Sequence, residues 1–147
     1  MVELVDETNR FPHPEELEGL LEALLGELGL GGRELTVVLL DDPGIARRNS
    51  ADRGEEGATD VLSYPTSEPD DVGVPLVAHL GDVLISIDAA ERQARERGHD
   101  LLSEVLLLAA HGITHLQGLD HHTEEEWAIF RETQRRALEL RTARQRA

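Results

Sequence analysis

Hydrophobic and polar positions along the chain repeat with two different periods, which predict helices and strands respectively. Residues 14–28 carry leucines at the i, i+3, i+4, i+7 spacing of one helix face, with Pro14 near the start and Gly29 just past the end. Residues 34–40 (ELTVVLL) are almost continuously apolar instead, and this predicts a buried strand. The two aspartates and the proline at positions 41–43 indicate where that strand stops.

Capping residues indicate where three further helices begin. Asp100 can cap a long apolar helix that runs into a cluster of histidines, and Thr123 with Glu126 forms a capping box for a final helix. Asp88 with Glu91 resembles the capping pair of a helix that ends before Gly98. Further strands are predicted at residues 2–5, 60–64 and 80–87, with a short helix at residues 45–52 and a surface loop at residues 65–78. In the final helix, the predicted buried side is marked by Trp127, Phe130 and Leu138.

Together these elements predict one α+β domain that spans residues 1–147. We expect a roughly four-stranded mixed sheet and about five helices, which cover one face of the sheet. No internal repeat or interdomain linker is visible in the sequence. At 147 residues the chain is long enough for a hydrophobic core that needs no covalent staple.

Four of the seven histidines fall within residues 111–122, which read HGITHLQGLDHH. On a helix, His111 and His115 lie one turn apart on the same face, so both imidazoles can reach one point. Gly118 lets the chain leave the helix and turn back, which brings His121 to that point. A buried histidine is usually a hydrogen-bonded core residue, but two desolvated imidazoles on an apolar helix are costly without a partner. The pattern therefore predicts a tetrahedral site for one Zn²⁺ per chain, with its fourth position open to water.

Composition narrows the chemistry of this site. The chain has no cysteine, so a metal site must be built from His, Asp or Glu, and the absence of disulfides fits a reducing cytoplasm. The charged N-terminus and the lack of a long apolar run predict a soluble, cytoplasmic protein without a signal peptide or membrane span. A net charge of −16 argues against general attraction to nucleic acid. Because there is no lysine, every fixed cation is an arginine, whose planar guanidinium suits phosphate.

Zinc held by three imidazoles favours hydrolysis, because it lowers the pKa of bound water to about 7. The spacing of the histidines and the glycine is also that of the metzincin peptidases. Those enzymes have a catalytic glutamate after the first histidine, whereas this chain has Gly112 there. The methionine beneath the metal is missing as well, since Met1 is the only methionine. A metallopeptidase is therefore an alternative that lacks two of its parts.

Three blocks of the sequence resemble the YbeY family of bacterial endoribonucleases. Residues 111–121 are similar to the family signature HGxLHLxGxDH. Residues 49–54 (NSADRG) and 59–65 (TDVLSYP) resemble its N-x-x-x-R-G and T-D-V-L-S-F-P block, with Tyr64 in place of phenylalanine. Residues 80–86 (LGDVLIS) are similar to its L-G-D-I-x-I-S strand. The blocks follow the family's order along the chain.

The resemblance implies a zinc-dependent endoribonuclease specific for single-stranded RNA. It also implies rRNA maturation, including the 3′ end of 16S rRNA, association with the small ribosomal subunit, and a part in ribosome quality control. The family's metal ligands fall on His111, His115 and His121, and its important arginine on Arg53, so that Arg53 and His115 are the expected catalytic residues. One departure is Asp52, where the family often has an aromatic residue. The remaining alternative is a zinc-stabilised ribosome-binding module without turnover.

Further candidate residues surround this set. We predict that Arg53 stabilises the charge that develops on the phosphate in the transition state. Thr59 and Ser63 are predicted to help bind substrate, or alternatively to fix the loop through backbone hydrogen bonds. Asp82 and Asp120 are predicted to orient the ligand imidazoles, although Asp120 is equally suited to form the turn. A structural or solvated role is expected for His13, His79, His99 and the arginines at positions 131, 135, 136, 141, 144 and 146.

Overall fold

Four strands pair into one mixed sheet, as the sequence predicts. The computed structural model describes residues 1–66 and 79–146, and within them the sheet order is β1-β2-β4-β3. The first three strands in this order run parallel to their neighbours, whereas the edge strand β3 runs antiparallel to β4. The strands are β1 (Val2–Asp6), β2 (Glu34–Leu40), β3 (Val61–Pro65) and β4 (His79–Ser86).

Five helices accompany the sheet in the described part of the chain, and their order with the strands is that of an α+β domain. The largest difference from the predicted bounds lies at the second helix, which begins at Asp42 rather than at residue 45. Asp41 caps it by accepting a hydrogen bond from the Gly44 amide at 2.7 Å, and Pro43 fits the first turn. The helices are α1 (Pro14–Glu27), α2 (Asp42–Arg53), α3 (Ile87–Arg97), α4 (Leu101–Leu116) and α5 (Glu124–Arg146).

Two of the three predicted helix caps are confirmed. The Asp100 carboxylate accepts a hydrogen bond from the Ser103 amide at 3.0 Å and so starts α4. Thr123 Oγ1 accepts one from the Glu126 amide at 3.1 Å and starts α5. Both side chains satisfy amides that the first helical turn leaves without a partner.

The third predicted cap, at Asp88, is wrong. Ser86, two residues earlier, caps α3 by accepting a hydrogen bond from the Ala89 amide at 3.1 Å. Asp88 lies in the first turn instead, where its carboxylate accepts from Arg10 at 2.7 Å and from the Asp42 amide at 2.7 Å. Its charge therefore ties α3 to the segments after β1 and before α2.

Helices cover both faces of the sheet, not one as predicted. Side chains alternate along β2, so that Val37 and Leu39 join the main core with α1 and α4. Val38 and Leu40 point the other way and pack with Ile45 of α2 in a smaller cluster. A strand that is apolar on both faces needs cover on both, and this property of β2 was visible in its continuous apolar run.

Helix α5 packs across α4 and α1, and this changes two expectations about its side chains. Arg141 is 9% exposed rather than solvated, and its guanidinium donates to Asp100 at 2.8 Å and to Glu16. Phe130 is fully buried as predicted, but Trp127 is 39% exposed and Leu138 is only half-buried. The contacts of Arg141 join the end of α5 to the starts of α1 and α4.

Most of the predicted surface loop at residues 65–78 lies outside the described residues, and its first member, Pro65, ends strand β3 instead. Within residues 1–66 and 79–146, no helix combines the length and the apolar character that crossing a membrane requires.

Candidate metal centre and cleft

The last turn of α4 and the turn after it bring three imidazoles together. His111 and His115 lie one helical turn apart, and Gly118 has the positive φ (87°) that reverses the chain toward His121. One ligand atom from each of the three histidines lies within 4.8 Å of the other two. This convergence is what the H-x3-H-x5-H spacing predicts.

A backbone carbonyl sets the orientation of the middle imidazole. His115 Nδ1 lies 3.0 Å from the Leu119 carbonyl oxygen, which can only accept, so Nδ1 carries the proton and Nε2 keeps its lone pair. The sequence could not indicate this partner, because any residue type at position 119 supplies the same carbonyl. The hydrogen bond has the geometry by which metal-ligating histidines are usually held.

Neither of the two aspartates considered as orienting residues holds a ligand imidazole here, and Asp120 takes its alternative role in the turn. Asp120 accepts a hydrogen bond from the His121 amide at 2.8 Å and pairs with the exposed His122 at 2.9 Å, whereas His121 Nε2 is 3.9 Å away. Asp120 therefore shapes the turn. Asp82 pairs with His79 at 3.0 Å, because it alternates with Val83 along β4 and so points to the sheet face away from α4.

The environment keeps the candidate ligands neutral. Burial, together with the nearby His115 and His121, lowers the pKa of His111 from 6.5 to about 4. Burial also lowers the pKa of His115, against the opposing effect of its hydrogen bond to the Leu119 carbonyl. A neutral imidazole has the free lone pair that coordination needs, so near pH 7 both residues are ready to bind a cation.

Two aromatic residues of α5 support the three imidazoles. The Phe130 ring, which is fully buried, lies 4.7 Å from the His111 ring, 4.8 Å from His115 and 5.6 Å from His121, centroid to centroid. Trp127 stacks on His121 at 4.6 Å with an interplanar angle of 23°. The sequence placed both aromatic residues on the buried side of α5, but it contained no signal that they would contact the histidines of another helix.

The residue after His111, the first candidate ligand, is Gly112, and close packing around it leaves no room for an acidic side chain. A Cβ at this position would lie 2.6 Å and 2.9 Å from the two methyl carbons of Val83 and 3.1 Å from Ser63 Oγ. Helix α4 therefore approaches β3 and β4 so closely that only glycine fits. A glutamate at position 112, as in the metzincin peptidases, has no room in this structure, which argues against the peptidase alternative.

Two walls line an open cleft of about 590 Å³: one consists of the three imidazoles, and the other of predicted site residues between Arg53 and Ser63. Arg53, at the C-terminal end of α2, donates from Nη2 to the Ser63 carbonyl at 2.9 Å. Thr59 and Ser63 line the same cleft, and Ser63 Oγ donates to the Gly112 carbonyl at 3.3 Å. Seven of the eight predicted site residues thus line one cleft, and only Asp82 does not: Arg53, Thr59, Ser63, His111, His115, Asp120 and His121.

Tyr64 holds the arginine and its acidic neighbour apart. The Arg53 guanidinium carbon lies 5.6 Å from the centre of the Tyr64 ring, which is a cation–π distance. The Tyr64 hydroxyl donates to Asp52 at 3.1 Å, and burial, followed by this carboxylate, raises the pKa of that hydroxyl. The Asp52 charge is therefore engaged by the tyrosine hydroxyl.

The donor set fits a zinc ion. Three imidazole nitrogens, two of them kept neutral by burial, converge from one side, and each histidine is partly exposed to the cleft on the other. Zinc sites with three protein ligands and one open position use this kind of donor set. His111, His115 and His121 are thus the residues that could hold such an ion, and Arg53 lines the same cleft.

Comparison with known proteins shows which family this chain is similar to. The sequence profile described as Endoribonuclease YbeY matches residues 5–141. The Endoribonuclease YbeY of Thermus thermophilus is 50% identical over 124 residues, which cover 84% of this chain and 88% of that protein. The protein of the same name from Deinococcus radiodurans is 48% identical over 125 residues, which cover 78% and 79% of the two chains.

A solved structure shows the same fold. The solution structure of a Thermotoga maritima protein matches with a TM-score of 0.65 and 26% identity, over 97% of this chain and 93% of that chain. The resemblance seen in three blocks of the sequence thus extends over nearly the whole domain. With the profile matched from residue 5 to residue 141, this chain belongs to the endoribonuclease YbeY family.

Proposed function

We propose that this protein is a zinc-dependent endoribonuclease that cuts single-stranded RNA during rRNA maturation. Its relatives carry the name endoribonuclease, which implies an RNA substrate and a hydrolytic reaction. The observation that carries the proposal is that three converging imidazoles and one arginine line a single open cleft. A phosphodiester needs both a cation at its reacting centre and a guanidinium for its charge.

His111, His115 and His121 are the proposed ligands of one zinc ion. When bound, the ion supplies a Lewis acid for the phosphoryl oxygen and lowers the pKa of coordinated water to about 7. Phe130 and the Leu119 carbonyl keep the imidazoles in their positions, so the ligands need little rearrangement to bind. His115 is the middle ligand of the three along the chain, and its orientation is set by the Leu119 carbonyl.

Arg53 is the proposed partner of the phosphate. Its guanidinium uses Nη2 on the Ser63 carbonyl and is exposed, so its other donors are available to a non-bridging oxygen. Charge develops on these oxygens in the transition state, and a bidentate guanidinium stabilises it there more than in the ground state. Thr59 and Ser63 line the cleft where the RNA strand would lie between the two walls.

An open cleft favours single strands over duplexes. The whole protein carries a charge of −16, so the sugar–phosphate backbone is not attracted over a broad surface and must be held locally. A flexible single strand can enter a narrow cleft and place one phosphate between Arg53 and the imidazoles. We propose that the strand belongs to rRNA precursors, including the 3′ end of 16S rRNA, met in the cytoplasm on the small ribosomal subunit, where ribosome quality control would use the same cleavage.

A cleavage assay with paired histidine variants tests the proposal. Purified protein loaded with zinc is expected to cut a fluorescent single-stranded RNA and to leave the matching duplex intact. His115→Ala is expected to abolish cutting, whereas His122→Ala, whose side chain is 78% exposed and pairs with Asp120, serves as the matched control. If both variants cut as well as the unaltered protein, or if none cuts, the proposal is wrong.

The same assay separates the non-catalytic alternative. A zinc-stabilised ribosome-binding module predicts that His115→Ala lowers the melting temperature and the association with small subunits while no RNA is cut by any form. The partial exposure of all three imidazoles to the cleft favours turnover, because a purely structural zinc is enclosed by four protein ligands.

A further inference from the structure

A second and smaller cleft lies beside the first, with His111 in the wall between them. It encloses about 230 Å³, and Asp60 and Val61 border it together with His111, as they border the larger cleft. This volume is below the roughly 300–1,000 Å³ of sites for drug-sized ligands, so it suits one planar ring system. Helices α3, α4 and α5 supply the rest of its lining: Gln93, Arg97, Glu104, Leu108, Trp127 and Gln134.

A buried carboxylate in this lining lacks a hydrogen-bond donor. Glu104 is fully buried, and its Oε1 lies 2.7 Å from Nε2 of His99. Its other oxygen, Oε2, has no hydrogen-bond partner in the part of the chain that the structure describes. Arg97 Nη1, 3.4 Å from Oε2, balances the charge without forming that bond. A buried acceptor without a donor is costly, so a ligand that brings an N–H group gains more here than at the surface.

The two amides of the cleft add further acceptors. Gln93 donates its Nε2 to Asp60 at 3.2 Å, and Gln134 donates its Nε2 to the Leu107 carbonyl at 3.4 Å. Each amide uses one of its two N–H donors on the protein and keeps its carbonyl oxygen and one N–H. Together with Glu104 Oε2, the two carbonyl oxygens give the cleft acceptors for the N–H groups of a ligand.

Trp127 supplies an aromatic surface at the same place. Its indole is 39% exposed, and its stacking on His121 holds the ring in position. Unpaired nucleobases bind proteins by stacking on such rings while their edges form hydrogen bonds. An aromatic ring, one buried carboxylate oxygen and two partly buried amide carbonyls within one small cleft match both requirements.

We propose that the second cleft binds one unpaired nucleobase, guanine in preference to the others, next to the phosphate held at the metal centre. Guanine presents two adjacent donors on one edge, the N1–H and the 2-amino group, which a carboxylate accepts well. Uracil presents a single N–H between two carbonyl oxygens, which Glu104 repels. This inference rests on the proposed ribonuclease function, because it assigns the base of that RNA substrate, and His111 links the two clefts.

Tryptophan fluorescence gives a direct measurement, since Trp127 is the only tryptophan in the chain. The full chain is titrated in excess chelator, so that no RNA is cut, with three single-stranded hexanucleotides: six uridines, and the same strand with one central guanosine or one central adenosine. The guanosine strand is expected to quench the fluorescence and to bind about tenfold more tightly than the uridine strand. Equal affinity for the two strands, or no quenching by either, would overturn the proposal.

Substitution of Glu104 tests whether its carboxylate is the source of the preference for guanosine. Glu104→Gln keeps the size of the side chain but removes the carboxylate, and it is expected to reduce the preference for guanosine to about twofold or less. The matched control is Glu139→Gln on the exposed side of α5, which is expected to keep the full preference. If circular dichroism shows that Glu104→Gln does not fold, Gln134→Ala replaces it and is expected to weaken binding of the guanosine strand selectively. Retention of the full preference in the folded variant would contradict the assignment.

The result is independent of the cleavage assay. The binding measurement contains no metal and breaks no bond, so guanosine preference can be found or refuted whether or not zinc-loaded protein cuts RNA. Conversely, RNA cutting that depends on His115, without any preference in binding, would leave the ribonuclease proposal in place and remove only the base site.

Discussion

The two walls of the large cleft are built in different ways. On one wall, two of the three imidazoles stand on a helix whose preceding ten residues are nearly all buried, and the fully buried Phe130 contacts all three rings. On the other wall, Arg53 is exposed, and within residues 1–66 and 79–146 it is placed by a hydrogen bond to the Ser63 carbonyl and by the Tyr64 ring. A metal ion requires fixed ligand positions, whereas a flexible RNA strand requires a cation that can follow it. The rigid wall is therefore part of the core, and the adaptable one is on the surface.

The largest expected effect comes from removing a ligand on the rigid wall. His111→Ala is expected to abolish stoichiometric zinc binding and RNA cutting together, because two imidazoles leave the ion without its third protein ligand. Metal analysis after dialysis and the cleavage assay measure the two losses. Zinc retained at one ion per chain by the variant would show that the ion is held elsewhere.

Removing Phe130, which packs against the imidazoles of the rigid wall, is expected to have the second-largest effect. Phe130→Ala creates a cavity behind the imidazoles and is expected to lower the free energy of unfolding by about 3–5 kcal/mol. It should also weaken zinc binding, since the rings lose the surface that positions them. Denaturant melts and zinc titrations check both effects. Ile129→Ala on the same helix, 43% exposed, is the control and is expected to change neither.

The adaptable wall should affect the reaction without affecting the metal. Arg53→Gln is expected to reduce RNA cutting by about a hundredfold or more, in line with the loss of one transition-state donor. Zinc affinity and melting temperature should stay unchanged, because the Arg53 side chain is exposed. Arg48→Gln, another exposed position on α2, is the matched control. A loss of zinc binding in Arg53→Gln would show that the two walls are not independent.

The rigid wall should also give the metal-free protein a pH dependence. The pKa of His111 falls from 6.5 in the unfolded chain to about 4 in the fold, so the unfolded chain binds a proton that the folded one refuses. The stability from this residue is complete above pH 6.5 and is lost as the pH falls toward 4. Melting temperatures in chelator at several pH values measure it. A His111→Gln variant should show a flatter profile, and an equally steep one would contradict this assignment.

The smallest effect is expected from Tyr64→Phe. The variant loses the hydrogen bond to Asp52 but keeps the ring under Arg53, so stability should fall by about 1 kcal/mol or less. RNA cutting should change by less than about fivefold, because Asp52 becomes a nearby unpaired charge that weakens the pull of Arg53 on phosphate. Steady-state cutting rates and melting temperatures measure the two effects. A loss as large as that of Arg53→Gln would mean that the tyrosine hydroxyl itself contacts the substrate.

Local patterns predicted the fold and the metal centre because both depend on spacing along one element. Three such patterns can be recognised without knowledge of the rest of the fold: the i, i+4 histidines, the glycine turn and the apolar run of β2. The roles of Phe130 and Trp127 could not be predicted in the same way, since they arise from the packing of α5 across α4. Arg141 and Glu104 show the same limit. Each is a charged residue buried by elements distant in sequence, so composition alone assigns it to the surface.

The central claim is that the imidazoles of His111, His115 and His121 hold one zinc ion and leave a coordination position open to the cleft that Arg53 also lines. The X-ray absorption spectrum of the protein loaded with one equivalent of zinc tests it most directly. We expect three imidazole nitrogens at about 2.0–2.1 Å and one oxygen from water at a similar distance, and the water contribution should change when a phosphodiester analogue is added. A spectrum with four protein ligands, or with fewer than three imidazoles, would contradict the account.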